Sequence, residues 1–303
     1  MQKKLLAVAM LVGLVMVFIA GCGSSKESAT GGTGTPAPKA ESTLERAKRQ
    51  GFVAVGFANE KPYTYATPEG KLTGEAVEIA RVALKNMGIK EMNGVLTEFG
   101  SLIPGLKAKR FDIITAGMYI TVPRSQEVTF ANPEYTIGEA IAVKAGNPAN
   151  LHNFKDIAAN PKVKIGVMAG AVEYAQVIKS GIAKDQIITV PDQPSALAAL
   201  QAGRVDVITM SGPALQSMLD AAKDKNVERV MDFTQPVIDG KPAQAYGAAA
   251  FRQEDQDFVA AYNAEIEKMK QSGELMTILK SFGFTDQENP GTITTDQVLA
   301  QQK

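Results

Sequence analysis

The chain has 303 residues, and its 32 lysines and arginines balance 32 aspartates and glutamates, so the formal net charge at pH 7 is zero. This balance, with no basic stripe along the chain, argues against a nucleic-acid partner. One cysteine and one histidine exclude an internal disulfide, a histidine-based catalytic triad and a multi-histidine metal site. We expect no metal and no cofactor, since glycine motifs for phosphates or dinucleotides are also absent, and we expect His152 to lie at the surface.

Residues 1–21 predict an export signal peptide. Lys3 and Lys4 precede an unbroken apolar run, which ends in small residues directly before Cys22. Since the apolar run is about the minimum length that can span a bilayer, an uncleaved membrane anchor is the alternative. The position of Cys22 resembles the lipobox of bacterial lipoproteins, and this resemblance implies a lipid anchor on its thiol.

The segment 22–42 predicts a flexible tether, because Gly, Ser, Thr, Pro and Ala dominate it and it offers almost nothing to bury. The folded part is therefore expected to begin near Leu44. About 260 residues remain, which is enough for one large domain or for two of ordinary size.

From residue 52 onward, short apolar runs alternate with longer amphipathic stretches, which predicts an α/β fold. Gly88 follows the first amphipathic stretch and is a helix stop signal. The first half of this region predicts a βαβαβ unit, with strands at 52–57, 93–99 and 111–117 and helices at 74–88 and 101–110.

The same pattern begins again after residue 148. This second unit has predicted strands at 162–170, 186–191 and 205–210 and predicted helices at 171–181 and 194–204. Further on, the apolar stretch 244–252 suits a strand that returns to the first unit, and residues 255–283 predict one long helix. Two such units indicate two lobes with a ligand cleft between them.

Five segments carry a family resemblance: GKLTGEAVEIARVALKNMG, LIPGLKAKRFDIITAGMYITVPRSQEVTFANPEY, KIGVMAGAVEYAQVIKSG, LQAGRVDVITMSGPAL and ELMTILKSFGF. Their order and spacing resemble the polar amino acid family of solute-binding proteins, which serve ABC importers. The resemblance covers the chain from about residue 50 to residue 285. It implies the type II periplasmic-binding-protein fold, with two α/β lobes and two hinge crossings. Lobe one is expected to span 43–142 and 247–303, and lobe two 143–246.

The same resemblance implies a receptor rather than an enzyme. Such a receptor is a monomer that closes over a small solute by hinge motion and delivers it to a permease in the membrane. It works outside the cytoplasm, either lipid-anchored at the outer face of the cell membrane or in the periplasm. We expect the same of this chain.

Three shorter segments, GFANEKPYTY, LTEFGSLIPGL and AGMYITVPR, most resemble the ectoine- and hydroxyectoine-binding proteins of that family. Ectoine is a zwitterion, a cyclic amidinium that bears a carboxylate. The resemblance implies an aromatic box of Tyr63, Phe99 and Tyr119, whose faces attract a delocalised cation. Tyr65 is a substitute for Tyr63, and for each ring a place in the hydrophobic core is the alternative.

The ligand carboxylate is expected to bind Arg124, whose planar fork can donate two parallel hydrogen bonds. A surface arginine at a strand end is the alternative from spacing alone. Thr121 either adds a hydroxyl to the site or bonds the local backbone. In lobe two, Gly170 and Val172, with Ala171 between them, begin a predicted helix and offer backbone amides to an anion, although any tight strand-to-helix turn needs small residues there.

Ser211 occupies the place at which common amino acid binders of this family have an aspartate that pairs with the substrate ammonium. A serine cannot neutralise a compact ammonium ion, so an α-amino acid fits poorly. Glu60 and Glu173 are expected to accept from the ring N–H groups of the ligand. Glu60 also suits a solvated loop, and Glu173 also suits the first turn of a helix, where acidic side chains are favoured.

Two other functions compete with ectoine or hydroxyectoine capture. One is a receptor for a polar amino acid or another small zwitterion, against which Ser211 argues in part. The other is catalysis, because some relatives on this fold are cyclohexadienyl dehydratases and Glu173 resembles their general acid. The export signal and the aromatic set favour transport.

Overall fold

A computed structural model describes residues 40–302 except residues 239 and 243. The predicted signal peptide, Cys22 and nearly all of the tether lie outside the described residues. In the described part of the chain, no helix combines the length and the apolar character that crossing a membrane requires.

The strands are, in chain order, β1 (Phe52–Phe57), β2 (Tyr65–Ala66), β3 (Leu72–Thr73), β4 (Glu91–Leu96), β5 (Ile113–Ile114), β6 (Thr129–Phe130), β7 (Tyr135–Ile137), β8 (Glu139–Lys144), β9 (Ile165–Met168), β10 (Ile187–Val190), β11 (Val207–Ser211), β12 (Val227–Arg229), β13 (Val237–Ile238), β14 (Lys241–Pro242), β15 (Ala245–Gly247) and β16 (Ala250–Phe251).

The α-helices are α1 (Thr43–Gln50), α2 (Glu75–Asn86), α3 (Leu102–Lys107), α4 (Val122–Ser125), α5 (Phe154–Ala159), α6 (Glu173–Lys179), α7 (Gln193–Gln201), α8 (Gly212–Ala222), α9 (Gln256–Ser272), α10 (Glu274–Ser281) and α11 (Thr295–Gln301). Short 3-10 helices lie at Phe99–Ser101, Lys184–Gln186 and Asp286–Glu288.

The first sheet has the strand order β4-β1-β5-β16-β6. Strand β1 pairs in parallel with β4 and β5, whereas β16 pairs antiparallel with β5 and β6. Helix α2 places buried Ile79, Ala83 and Leu84 at helical spacing, and it packs against α9 and α10. The chain enters this lobe at α1, which begins with a capping box between Ser42 and Glu45.

The second sheet has the order β10-β9-β11-β8-β12. Its strands β10, β9 and β11 are parallel, and β8 and β12 are antiparallel to their neighbours. Ile165, Val167 and Val207 are buried in a separate hydrophobic cluster of this lobe. Continuous apolar strands of this kind are typical of parallel sheets that are covered on both faces.

Two strands carry the chain between the sheets. Strand β7 leaves lobe one, β15 returns to it, and the two pair antiparallel. Strand β16 then enters the first sheet, as the apolar stretch 244–252 predicts. The predicted type II fold with two α/β lobes is therefore confirmed. The residue limits of the lobes stay a prediction, although all of β8 belongs to the second sheet, which would move the first crossing from residue 142 to near Gly138.

Several predicted elements are longer than the observed ones, and three of them end early for a local reason. The strand predicted at 93–99 ends at Leu96, because a 3-10 turn begins at Phe99. The strand predicted at 111–117 is reduced to β5, since the chain turns at Gly117 with a φ of +61°. The helix predicted at 255–283 is interrupted at Gly273, whose left-handed conformation ends α9 and starts α10.

Lobe one buries the carboxyl groups of Glu75 and Glu134. Burial raises the pKa of both, that of Glu134 to about 7. Tyr262 Oη donates a hydrogen bond to Glu134 Oε1 at 2.9 Å, which partly offsets the effect of burial. Because the folded pKa of Glu134 exceeds the unfolded value of 4.5, the folded protein binds more protons and its stability falls as the pH rises from about 4.5 to about 7.

We expect Glu134→Gln to raise the free energy of unfolding at pH 8 by roughly 2–3 kcal/mol and to change it much less at pH 5. Glutamine is neutral at both pH values and keeps an acceptor for Tyr262. Urea unfolding at the two pH values measures the difference. Glu91→Gln, at an exposed position of the edge strand β4, is the control. An equal gain at both pH values would contradict the assignment of the effect to ionisation.

Candidate functional site

A cavity of about 20 Å³ lies between the two lobes. Lobe one and lobe two both line it. The lining residues are Glu60, Tyr63, Phe99, Gly117, Tyr119, Arg124, Met168, Ala171, Val172, Glu173 and Ser211. All the site residues predicted from the sequence are among them except Thr121 and Gly170.

These residues come together because they follow the carboxyl ends of neighbouring strands. Glu60 and Tyr63 follow β1, Phe99 follows β4, and Tyr119 follows β5. In lobe two, the residues from Met168 to Glu173 join β9 to α6, and Ser211 ends β11. In open α/β sheets this edge is where ligands bind.

Arg124 is held by backbone oxygens. Its Nη1 donates to Tyr119 O at 2.8 Å, and its Nη2 donates across the cleft to Gly170 O at 3.0 Å. The guanidinium also lies 5.4 Å from the centroid of the Phe99 ring. Burial lowers the pKa of Arg124, and the Glu173 carboxyl acts in the opposite direction. Two donors of the guanidinium are therefore committed to backbone carbonyl groups, one from each lobe.

Thr121 and Gly170 have roles other than lining the cavity. Thr121 caps helix α4, since its Oγ1 accepts from Arg124 N at 3.3 Å, which is the local backbone bond considered as the alternative. Gly170 contributes its carbonyl to Arg124 and packs on Gly100 of lobe one. Of the backbone amides expected to bind an anion, that of Ala171 donates to Met168 O at 3.2 Å.

The rings of Tyr63, Phe99 and Tyr119 form an aromatic wall of the cavity. Other aromatic rings pack behind this wall, and the sequence did not indicate them. Tyr63 stacks on Tyr135 with ring centroids 5.3 Å apart, and Tyr119 meets Tyr135 edge-on at 6.4 Å. Phe284 contacts Tyr63 at 5.9 Å. Tyr65, the substitute for Tyr63, lies outside the lining, with Lys61 Nζ 4.8 Å from its ring. Packing from behind fixes the ring planes and leaves the cavity side for a ligand.

Three hydrogen bonds join the lobes around the cavity. Tyr63 Oη donates to Ser211 Oγ at 2.7 Å, Gln193 Nε2 donates to Glu60 Oε1, and Arg124 donates to Gly170. Pockets for small molecules are about 300 Å³ or larger. The structure is therefore a closed state with a cavity of only 20 Å³, and the lobes must separate for a ligand to enter.

A second, outer chamber of about 440 Å³ adjoins the cavity and shares Glu60, Phe99 and Met168 with it. Acidic side chains of Glu98 and Asp192 line this chamber. The Glu60–Gln193 hydrogen bond lies where the two spaces meet, since Gln193 also lines the outer one.

Buried carboxyl groups determine the electrostatics of the cavity. Burial, helped by the nearby Glu173 carboxyl, raises the pKa of Glu60 to about 8, against the lowering effects of the hydrogen bond from Gln193 and of the Arg124 charge. Burial also raises the pKa of Glu173 and that of Glu139, which the sequence did not single out. Gln176 Nε2 donates to Glu139 Oε1 at 3.1 Å. A cation in the cavity would favour the ionised form of these carboxyls.

The structure also bears on a metal site and on the position of His152. Among the described residues, no cluster of three or more His, Cys, Asp or Glu side chains is arranged to hold a metal ion. His152 lies at a partly exposed position, where its Nδ1 is 2.9 Å from a carboxylate oxygen of Asp232. The site thus consists of one arginine, aromatic rings, carboxyl groups and a serine.

Gln193 and Glu139 were missed for different reasons. Gln193 opens α7 directly after its cap Asp192, so the sequence at this point indicates only a helix start. Glu139 lies on β8 opposite Ser211 in the antiparallel register, and only that pairing brings it to the site. Gly117 carried a usable signal, a glycine directly after an apolar strand, which is typical of a turn.

The fold and the cleft define a solute-binding protein of the two-lobed type. The chain belongs to the bacterial extracellular solute-binding proteins, family 3, since the model of that family matches residues 53–285. A Sinorhizobium fredii protein named "probable amino-acid ABC transporter periplasmic-binding protein" is 35% identical over 244 residues, which are 80% of each chain.

Two solved structures are similar over most of the chain. EhuB in complex with hydroxyectoine is 37% identical with a TM-score of 0.75, and the match covers 81% of this chain and 93% of that chain. An ancestral amino-acid-binding protein, a precursor of cyclohexadienyl dehydratase, is 26% identical with a TM-score of 0.68, and the match covers 80% and 99% of the two chains.

These comparisons confirm the predicted class. The chain is a solute-binding receptor of an amino-acid-type ABC importer, works outside the cytoplasm and serves a membrane permease. The prediction that it is a receptor rather than an enzyme is also confirmed, because its relatives are binding proteins and the ancestral precursor of the dehydratase is itself one.

Proposed function

We propose that this receptor captures ectoine or hydroxyectoine. The observation that supports this ligand best is the lining of one closed cavity by an arginine fork, three aromatic rings and carboxyls from both lobes. A carboxylate needs the first, and a delocalised ring cation needs the others. The similarity to EhuB, whose structure contains hydroxyectoine, gives independent support.

In this proposal the ligand carboxylate replaces the carbonyl oxygens that now accept from Arg124. The amidinium ring lies against Tyr63, Phe99 and Tyr119, and its N–H groups donate to Glu60 and Glu173. Each ring face contributes about 0.5–2 kcal/mol to binding a cation when water is excluded. Since Glu60 and Glu173 belong to opposite lobes, the ligand favours the closed state by contacting both.

A polar amino acid is the second candidate ligand. The outer chamber favours it, because Glu98 and Asp192 would suit a cationic side chain extending from the cavity. The Sinorhizobium fredii relative also carries an amino-acid transporter name. Ser211 argues against an α-ammonium group, since it offers a hydroxyl where a charge is needed.

Calorimetric titration tests the ligand. The chain from residue 23 onward is unfolded and refolded to remove carried-over solute, then titrated with ectoine, hydroxyectoine, glycine betaine and pooled amino acids. We expect tight binding of ectoine or hydroxyectoine and little heat from the others. Heat from an amino acid together with silence toward both ectoines would leave the family assignment and reject the ligand.

We also propose that signal peptidase removes residues 1–21 and that a lipid on Cys22 anchors the receptor, as a monomer, through the tether 22–42. The placement of the only cysteine directly after the apolar run supports this anchor. Labelled palmitate should enter the chain but not its Cys22→Ser variant. Equal labelling of the two would reject the anchor.

A further inference from the structure

Glu139 carries a buried carboxyl group that the proposed ligand contacts do not use. The residue is 3% exposed and begins strand β8, where the antiparallel register places it opposite Ser211 of β11. Residues paired in this way project from the same face of a sheet. Glu139 therefore lies beside a residue of the cavity lining, although it is not a lining residue itself. Its hydrogen bonds indicate what it does there.

Both the backbone and the side chain of Glu139 are held in place. Its N–H donates to Gln235 Oε1 at 2.8 Å, and its carbonyl oxygen accepts from Gln235 Nε2 at 2.7 Å. Its carboxyl oxygen Oε1 accepts from Gln176 Nε2 at 3.1 Å. Gln176 lies three positions after Glu173 on helix α6, so the two side chains are neighbours on that helix. The Glu139 carboxyl is thus fixed against the helix surface that carries Glu173.

The carboxyl groups of Glu139 and Glu173 are hydrogen-bonded to each other. An ionised carboxylate only accepts, so one group of such a pair must be protonated. Burial has the largest effect on both groups and raises both pKa values, but the bond between them raises the pKa of Glu139 and lowers that of Glu173. The proton of the pair therefore belongs to Glu139, which donates, and the negative charge to Glu173, which accepts.

This division of proton and charge suits a cationic ligand. Glu173 lines the cavity, whereas Glu139 does not. The Arg124 charge also lowers the pKa of Glu173, and Glu60, with a pKa of about 8, is mostly protonated at neutral pH. A carboxylate that is removed from water is stabilised by hydrogen bonds to its charged form. The neighbours of Glu173 thus favour its carboxylate at the surface where the ligand is proposed to bind.

We infer that Glu139 is a positioning residue for the ligand cation: in its protonated form it donates a hydrogen bond to Glu173 and holds that carboxylate at the cavity. The inference rests on the proposed function, in which Glu173 accepts from the ring N–H groups of the ligand. In this arrangement Glu139 does not touch the ligand and acts only through Glu173. Position 139 therefore needs a hydrogen-bond donor and not a charge.

The test is calorimetric titration of the refolded chain, Glu139→Leu and Glu139→Gln with ectoine and with hydroxyectoine. We expect Glu139→Leu to bind both solutes about tenfold more weakly or worse, since the Glu173 carboxylate loses its donor and stays desolvated. Glu139→Gln should restore the affinity to within about threefold of the unsubstituted chain, because its amide donates to Glu173 and its oxygen accepts from Gln176. The two variants separate the donor from the negative charge.

A double-mutant cycle separates positioning from a general structural role. In a Glu173→Ala background, position 139 has no carboxylate to hold, so Glu139→Leu should weaken binding much less there than in the unsubstituted chain. A residue that only supports the fold of lobe two would cost the same factor in both backgrounds. Thermal unfolding of each variant shows whether it is folded, and Glu139→Met provides a second variant without a donor if Glu139→Leu is unstable.

Three results would overturn the inference while leaving the proposed function intact. The first is unchanged affinity in Glu139→Leu. The second is a loss in Glu139→Gln as large as that in Glu139→Leu, and the third is an equal loss from Glu139→Leu with and without the Glu173 side chain. Binding of neither ectoine nor hydroxyectoine to the unsubstituted protein would instead reject the proposed function.

Discussion

Arg124→Ala is expected to lower the affinity for ectoine or hydroxyectoine by about 30-fold or more. Removing one partner of a buried charge pair costs about 2–5 kcal/mol, because the remaining carboxylate stays desolvated without a counter-charge. Titration with the ligand measures the loss directly.

Two controls separate carboxylate binding by the planar fork of Arg124 from general effects of charge. Arg124→Lys keeps the positive charge but not the planar fork, so it should recover only part of the affinity. Arg110→Ala removes an exposed arginine of the same lobe that does not line the cavity, and it should leave affinity unchanged. If Arg124→Ala binds as tightly as the unsubstituted chain, the carboxylate lies elsewhere.

Gly170→Ala is expected to weaken ligand binding by about tenfold or more, because it prevents full closure of the lobes. A Cβ atom at this position would lie 2.6 Å from Gly100 Cα and 3.2 Å from Gly100 N, which belong to the facing lobe. Both contacts are with backbone atoms, which cannot rotate away as a side chain does. Small-angle scattering with saturating ligand should show a larger radius of gyration than the unsubstituted receptor.

Gly181→Ala provides a matched control for backbone strain. The φ angles are +77° at Gly170 and +91° at Gly181, so an alanine is strained at either position. At Gly181, however, the nearest atom to an added Cβ is 3.9 Å away, in Ala158. Both variants should lose about 1 kcal/mol of stability, and only Gly170→Ala should lose affinity. Equal affinities of the two variants would show that closure tolerates the extra methyl group.

The buried carboxyls of this receptor act in two places: one affects the stability of the fold, and another lies where the ligand is proposed to bind. Glu134 lies in lobe one with Tyr262, and its ionisation destabilises the fold as the pH rises. Glu60 lies in the cleft, and with a pKa of about 8 it is mostly protonated at neutral pH. Binding of a cation beside it would favour the carboxylate and release the proton to the solvent.

The sequence by itself determined the two α/β units, because their apolar runs and amphipathic stretches are encoded by neighbouring residues. The family resemblance further implied that Arg124, Tyr63, Phe99 and Tyr119 belong to one site, and all four line the same cavity. The sequence predicted the ends of the helices and strands less accurately than their order. Gly273 divides the last long helix although the apolar pattern continues through it.

Only the tertiary structure decided which groups pair across the cleft. Glu60 bonds Gln193, which is 133 positions away, and Tyr63 bonds Ser211, which is 148 positions away. No local pattern encodes such a pair, because it depends on how two separately folded lobes meet. The packing of Tyr135 behind Tyr63 also joins residues that are far apart in the chain, so it too appears only in the tertiary structure.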